Sequence, residues 1–267
     1  MPHKKLVTLC HLKLVYISLS YLSTLKSDFI DNLSLIAKFI KTPYYIDMND
    51  YIRARSDDQK EERLNQIKTA TAELFESCPF NEITLSTISE KLGWSRANLY
   101  KYVTTKEEII LEIAADKMTA YYTSLMAAFP KGNNFSTEVI AEVWAGIVNA
   151  HQDYMRYVSY LNPVIETNVT VERLAVFKKK FYDLSYGFRD ILAPMLEVSA
   201  ENANKLQVDL LMYASAKAST CYNNPLVQEA LKKINIEPGK MDFYRDVKDF
   251  ILMGINWAKK AKFSLSS

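Results

Sequence analysis

The sequence predicts an all-α protein, and three observations carry that prediction. Apolar residues recur at three- and four-residue spacing through most of the chain, the period of an amphipathic helix. Only 6 Gly and 8 Pro stand among 267 residues, which argues for long helices over a strand-rich, turn-rich fold. Cap residues mark the starts of short helices between Thr84 and Glu108. A composition of 49% hydrophobic and 24% charged residues is that of an ordinary folded chain with room for one or two domains. The net charge of +2 is too small to imply nonspecific nucleic-acid binding, so any DNA affinity must come from a local patch. Cys10, Cys78 and Cys221 make neither a disulfide framework nor a metal spacing, and they fit a reducing cytoplasm.

Residues 1–47 stand apart. Leu6–Leu25 is fairly apolar and follows Lys4 and Lys5, as in a leader or anchor. His11 and Lys13 interrupt it, however, and a Lys near the middle of a spanning helix costs roughly 2.5–3.5 kcal/mol. No small-x-small cleavage site follows. Asn49–Glu62 is polar, with Arg53 and Arg55 ahead of an acidic cluster. It reads either as a solvated lead-in or as a basic arm near a phosphate or the minor groove. A helix is predicted over Gln59–Ser77, its stripe made of Ile67, Ala70, Thr71, Leu74 and Phe75. Pro79 ends it, and Phe80 and Ile83 plug the small core.

Thr84 is then a cap for a short helix whose apolar face is Leu85, Ile88 and Leu92. Gly93 sits where that helix must stop, at a place for positive φ. Ser95 caps a second helix over Arg96–Tyr102. Leu99 and Val103 fall together and should pack inward. Arg96, Ala97, Asn98 and Lys101 are left outside, with Tyr100 and Tyr102 on the flanks. That mix suits a DNA duplex. Arg bonds guanine bidentately, Asn bonds adenine, and an apolar carbon meets a thymine methyl. Tyr and Lys hold phosphates and set the register. From Lys91 to Lys106 there are four basic residues and no acidic one.

The order Thr84, Ile88-Ser89, Leu92-Gly93-Trp94-Ser95, Leu99-Tyr100, Tyr102-Val103 and Lys106-Glu107-Glu108 resembles the DNA-binding segment of the tetracycline-repressor (TetR) family. The resemblance runs from about Leu64 to Ile113 and covers one domain. Ser89 and Val103 stand where the family often has Ala and Phe, and both keep the packing role. The resemblance implies a helix–turn–helix domain followed by a connector helix and a helical regulatory domain. Chains of that family usually begin shortly before the first helix, and Met48 sits at such a place. The extension 1–47 is then a start-site artefact, or else an extra helical arm on the body or the DNA.

Thr105 and Glu108 read as a capping box. They open a helix running to about Phe129, with Lys106 placed for a phosphate beside free N–H groups. Pro130–Asn134 is a loop. Helices follow over Ser136–Ala150, His151–Leu161, Val171–Glu197, Ser199–Tyr222, Pro225–Ile234 and Met241–Lys262. Pro163 ends the second of these, Pro194 is placed to kink the third, and Pro238-Gly239 follows the fifth. No internal repeat appears.

This C-terminal region is either a plain helical core or a core that holds a ligand cavity between helices. Trp144, His151, Tyr154, Tyr157, Tyr186, Met195, Met212, Tyr213 and Tyr222 supply aromatic and soft side chains. The predicted pocket set is Trp144, His151, Tyr154, Tyr186, Met212 and Tyr213. The resemblance implies an unknown small-molecule effector there, and a homodimer through the last two long helices packed as a four-helix bundle. Ala214, Ala216, Ala218 and Gly254 would permit close approach of helices, in a dimer or in a monomer core. No cofactor, metal or membrane partner is expected. The chain lacks a Gly-rich phosphate loop, G-x-S-x-G, H-E-x-x-H and C-x-x-C, so an enzyme is not expected.

The resulting expectation has three parts: an extension over 1–47, a helix–turn–helix DNA-binding domain over 48–105, and a helical ligand-binding and dimerisation domain over 106–267. It describes a cytoplasmic, ligand-responsive regulator, a repressor by expectation, on a palindromic operator in double-stranded DNA. Arg96 and Asn98, helped by Ala97 and Lys101, would read bases. Thr84, Ser86, Ser95, Tyr100, Tyr102 and Lys106 would hold the backbone. The rival expectation is a protein of the same fold that acts through a protein partner and binds DNA only nonspecifically.

Overall fold

A computed structural model of the protein describes residues 48–221, 225–237 and 241–264, and all regular structure among them is helical. The extension 1–47, the candidate Tyr222 and the Pro238-Gly239 break lie outside the described residues, as do the side chains of Arg53, Arg55 and Cys221. By its internal contacts the chain divides into Met1–Asp58 and Gln59–Ser267. Among the described residues the first unit holds only 48–58, the opening turns of one helix, and the second holds the rest of the architecture.

The first helix, α1, spans Met48–Ser77, eleven residues earlier than the Gln59 start expected from sequence. Arg53, Ala54 and Arg55 are good helix formers, but residues 48–58 carry no apolar stripe to announce those turns. Pro79 ends α1 as predicted, and a 3₁₀ turn follows at Phe80–Glu82. Helix α2 is Leu85–Leu92, capped by Thr84, whose hydroxyl accepts from the Thr87 N–H at 3.1 Å. Thr87 returns the bond by accepting from the Thr84 N–H at 2.9 Å. Gly93 closes α2 in the left-handed conformation, φ 65°, and the Trp94 N–H reaches back to the Ser89 carbonyl at 2.9 Å.

A Cβ built on Gly93 meets nothing within 4 Å, so the cost of a side chain there is backbone strain alone. Gly93→Ala should therefore lower stability by about 1–2 kcal/mol, and Gly93→Asn by less. Denaturant unfolding checks both; equal midpoints for wild type and Gly93→Ala would contradict the conformational argument.

Helix α3 is shorter than expected. It covers Arg96–Leu99 rather than Arg96–Tyr102. Lys101 and Tyr102 donate to Asn98 and Leu99, three residues back, so the second turn is tightened. The β-branched run Val103-Thr104-Thr105 then favours extended chain over another helical turn. Connector α4 spans Lys106–Ala128. Thr105 caps it by accepting from the Glu108 N–H at 3.1 Å, but the Glu108 carboxylate does not complete the predicted box. That carboxylate is buried and accepts from the Thr104 hydroxyl, with the Arg173 Nε at 3.3 Å.

The body follows as α5 (Thr137–Ala150), α6 (Gln152–Tyr160), a π turn (Leu161–Ile165), α7 (Val171–Leu196), α8 (Ala200–Cys221), α9 (Pro225–Lys233) and α10 (Phe243–Ser264). The π turn replaces the break expected at Asn162-Pro163. Pro163 has no N–H for the Ser159 carbonyl, and the ladder widens so that Glu166 donates to Leu161 at 2.9 Å. Pro194 sits in the last turn of α7, which ends two residues later with Glu197 at φ 57°. Helix α10 packs on α5 and α8, α8 also packs on α6 and α7, and α4 lies against α5, α6 and α7. Ala214 and Ala218 are fully buried in this core, while Ala216 faces outward. A Cβ on Gly254 would collide with Leu206 Cδ1, so that glycine serves the close crossing of α8 and α10 within the protomer.

Candidate nucleic-acid interface

The turn from α2 to α3 presents one polar surface and buries its back. Ile88 and Leu99 are fully buried, and Val103 is buried beside them. They belong with Ile67, Phe75 and Ile83 to a buried core that continues along α4. Arg96, Ala97 and Lys101 are exposed, Asn98 is half-buried, and Tyr100 is 56% exposed. The expected outward residues therefore share one accessible face of α3 and its tightened second turn.

The hydroxyls expected to hold a DNA backbone already have local work. Thr84 and Ser95 cap their helices, the latter accepting from the Asn98 N–H at 3.3 Å. Ser95 keeps its own O–H to donate outward, while the Thr84 hydroxyl also lies 3.3 Å from that of Thr87. Ser86 is half-buried. Its carbonyl accepts from the Ser89 hydroxyl at 2.8 Å. Tyr102 is half-buried with its ring 5.9 Å from that of Trp94. Lys106 is tied in more firmly than its sequence position suggests. Its ammonium donates to the Phe80 carbonyl at 2.9 Å and lies 4.2 Å from the Phe80 ring centre. An ammonium has three N–H groups, so this bond leaves donors for a phosphate.

The six predicted pocket residues do not converge on one cavity. Trp144 and Tyr154 are buried around Tyr121: the Trp144 Nε1–H donates to the Tyr121 hydroxyl at 3.1 Å, and the Tyr154 ring is 5.5 Å from that of Tyr121. His151 joins this cluster, 2.9 Å from the Ser124 hydroxyl and 5.9 Å from the Tyr121 ring. Burial and nearby Lys117 hold its imidazole below the usual range, against the pull of Asp153. Burial also pushes the Tyr121 phenol up, and that of Tyr122 to about 12. Tyr186 and Met212 are each 41% exposed, and Tyr213 stacks on Phe250 at 4.1 Å. Aromatic and Met periodicity marks a helix stripe but not which side of the bundle receives it. Among the described residues, no group of His, Cys, Asp and Glu is placed to hold a metal. No described helix is long and apolar enough to cross a membrane.

The body decides the family. Residues 115–257, more than half of the chain, match a family model described as tetracyclin repressor-like, C-terminal domain. The protein belongs to the TetR family. Members of that family are transcription regulators rather than enzymes, and they bind DNA and dimerise in general. Among solved structures, the chain is similar to the TetR family transcriptional regulator PfmR from Thermus thermophilus, at 15% identity. That alignment covers 71% of this chain and 97% of that one, with a TM-score of 0.48. It is also similar to a TetR/AcrR family regulator from Thermobifida fusca, at 15% identity, 73% and 97% coverage and a TM-score of 0.45. The fatty acid degradation regulator FadR from Bacillus halodurans aligns at 13% identity, 72% and 94% coverage and a TM-score of 0.45. No curated protein matches the chain in sequence.

Two features of this TetR-family chain escaped sequence reasoning. Arg63 of α1 places its guanidinium 5.2 Å from the Trp94 ring, bracing the turn that carries α3. In the body, Gln207 is buried; its amide donates to the Ser185 carbonyl at 3.0 Å and to Asn204, while its Oε1 has no partner. A Gln at one apolar-stripe position gives no sign of which helix will meet it.

Proposed function

We propose that the protein is a sequence-specific regulator that binds a palindromic operator as a homodimer and releases it when a small molecule occupies the body. The observation that carries this reading is the accessible face of Arg96, Ala97, Asn98 and Lys101 backed by buried Leu99 and Val103. Arg96 and Asn98 read base edges, helped by Ala97 and Lys101. Thr84, Ser86, Ser95, Tyr100, Tyr102 and Lys106 hold phosphates. One such unit reads only a few base pairs, and two of them one helical turn apart read a palindrome.

Helices α8 and α10 form the dimer face in this reading. Met212 on α8, and Met253 and Trp257 on α10, point outward at 41%, 61% and 45% exposure. Lys205 of α8 lies 5.5 Å from the Trp257 ring, so the two helices offer one continuous surface. The effector site is the region around Tyr121, Trp144, His151 and Tyr154, with Gln207 nearby through Ser185 and Tyr122. A buried acceptor without a donor is costly, and a ligand hydroxyl or amine supplies one. The domain limits are 48–105 for the reading unit and 106–267 for the body, in a cytoplasmic protein.

The roles separate in mutants. Arg96→Ala should cost about 1–3 kcal/mol at one base position and relax selectivity there. Lys106→Ala should weaken every sequence alike and shrink the slope of log affinity against log salt by about one unit. Binding of both variants to single-base variants of the preferred site, at several salt concentrations, measures this. Identical profiles for the two would overturn the assignment of roles.

A further inference from the structure

The last carbonyls of a helix have no N–H partners within it. At the end of α1 this shortage is acute for Phe75, because the residue four positions on is Pro79, which has no N–H. The donor comes from the body instead. Arg156 on α6, 81 residues away in sequence, donates from Nη2 to the Phe75 carbonyl at 2.9 Å. Its guanidinium also lies 5.1 Å from the Phe75 ring centre. Tyr157 stacks on Phe75 at 4.3 Å with an 11° interplanar angle. Tyr160 stacks on Phe80 at 5.0 Å and meets Phe75 edge-on at 5.4 Å. Positions i, i+1 and i+4 of one helix thus grip the end of α1 and the turn after it.

Connector α4 joins the reading unit to the body covalently, and its Lys106 and Asp116 bond to Phe80 and Lys68 of that unit. The grip from α6 is a second attachment, built of a charge-assisted hydrogen bond and stacked rings. Two attachments fix a tilt that one does not. Immediately after Tyr160 the chain enters the π turn, an irregularity often found at functional places.

We infer that Arg156, Tyr157 and Tyr160 are positioning residues that set which half-site spacing the protein accepts. The inference rests on the dimeric DNA-reading proposed above. One inserted base pair moves the second half-site by about 3.4 Å along the axis. A reading unit held at two points resists following that shift, and a unit held only by α4 follows it more readily.

The test measures affinity for operators with the preferred spacing and with one base pair added or removed. The variants are Arg156→Met and Tyr160→Ala, with Arg156→Lys and Tyr160→Phe as conservative partners. Wild type should discriminate sharply between spacings. Arg156→Met should lose about tenfold of that discrimination, the weight of one charge-assisted hydrogen bond, while keeping base preference within each half-site. Arg156→Lys and Tyr160→Phe should restore most of the discrimination. Equal weakening at every spacing would mean a merely structural role and would overturn the inference alone. A wild-type protein with a selected site but no spacing preference would also overturn it. A wild-type protein that selects no site would remove the DNA-reading proposal together with it.

Discussion

Leu99→Ala should silence DNA recognition while leaving the body intact. Leu99 is the inward anchor of α3, with 0% of its surface exposed. Truncating a fully buried Leu to Ala costs about 2–5 kcal/mol, from lost transfer energy plus the cavity left behind. Leu99 is the one buried side chain of α3, so nothing else on that helix shares its anchoring to Ile67, Ile83 and Ile88. The expected result is a steep fall in amide protection across residues 85–103, with protection in α5 unchanged, and loss of the selective part of DNA binding. Leu99→Met, which nearly conserves volume, should cost under about 1.5 kcal/mol and keep binding. Hydrogen exchange of the two variants side by side is the measurement. Unchanged protection in Leu99→Ala would mean that α3 is anchored by something other than its buried face.

Met253→Asp should reduce operator binding as far, for a reason with nothing to do with the DNA surface. On an isolated protomer, residue 253 is 61% exposed, so a charge there should shift stability by less than about 0.5 kcal/mol. In the proposed dimer the same carboxylate is buried beside Trp257 and Met212 against the partner, where an unpaired charge costs several kcal/mol. The variant should therefore fold normally, sediment as a monomer at micromolar concentration, and lose operator affinity by about three orders of magnitude, toward nonspecific binding. A variant that still sediments as a dimer would move the interface off α8 and α10.

The reading unit was legible in the sequence because its determinants are local. Thr84, Gly93 and Ser95 each meet partners within five residues, and the spacing of Leu85, Ile88 and Leu92 declares its own face. The second turn of α3 was overestimated because i→i+3 and i→i+4 bonding share the same spacing of side chains through so short a segment. The early start of α1 was missed because its first turns carry no apolar stripe. In the body the helix spans were legible to within a few residues, since Pro163, Pro194, Ser136 and Ser199 punctuate them. Which side each stripe faces was not. Tyr186 and Tyr154 look alike in sequence, yet the first lies on the surface and the second in the core. The Arg156 bond to Phe75 had half a signal, Pro79 stripping a helix end of its donor, but the residue that answers it is set by tertiary packing alone.

Selection of bound duplexes from a random pool tests the central claim most directly. The account predicts enrichment of a palindrome whose halves lie one helical turn apart, with the enriched base pairs changing only at one position per half when Arg96→Ala replaces wild type. A pool that emerges unenriched after repeated rounds at physiological salt would contradict it.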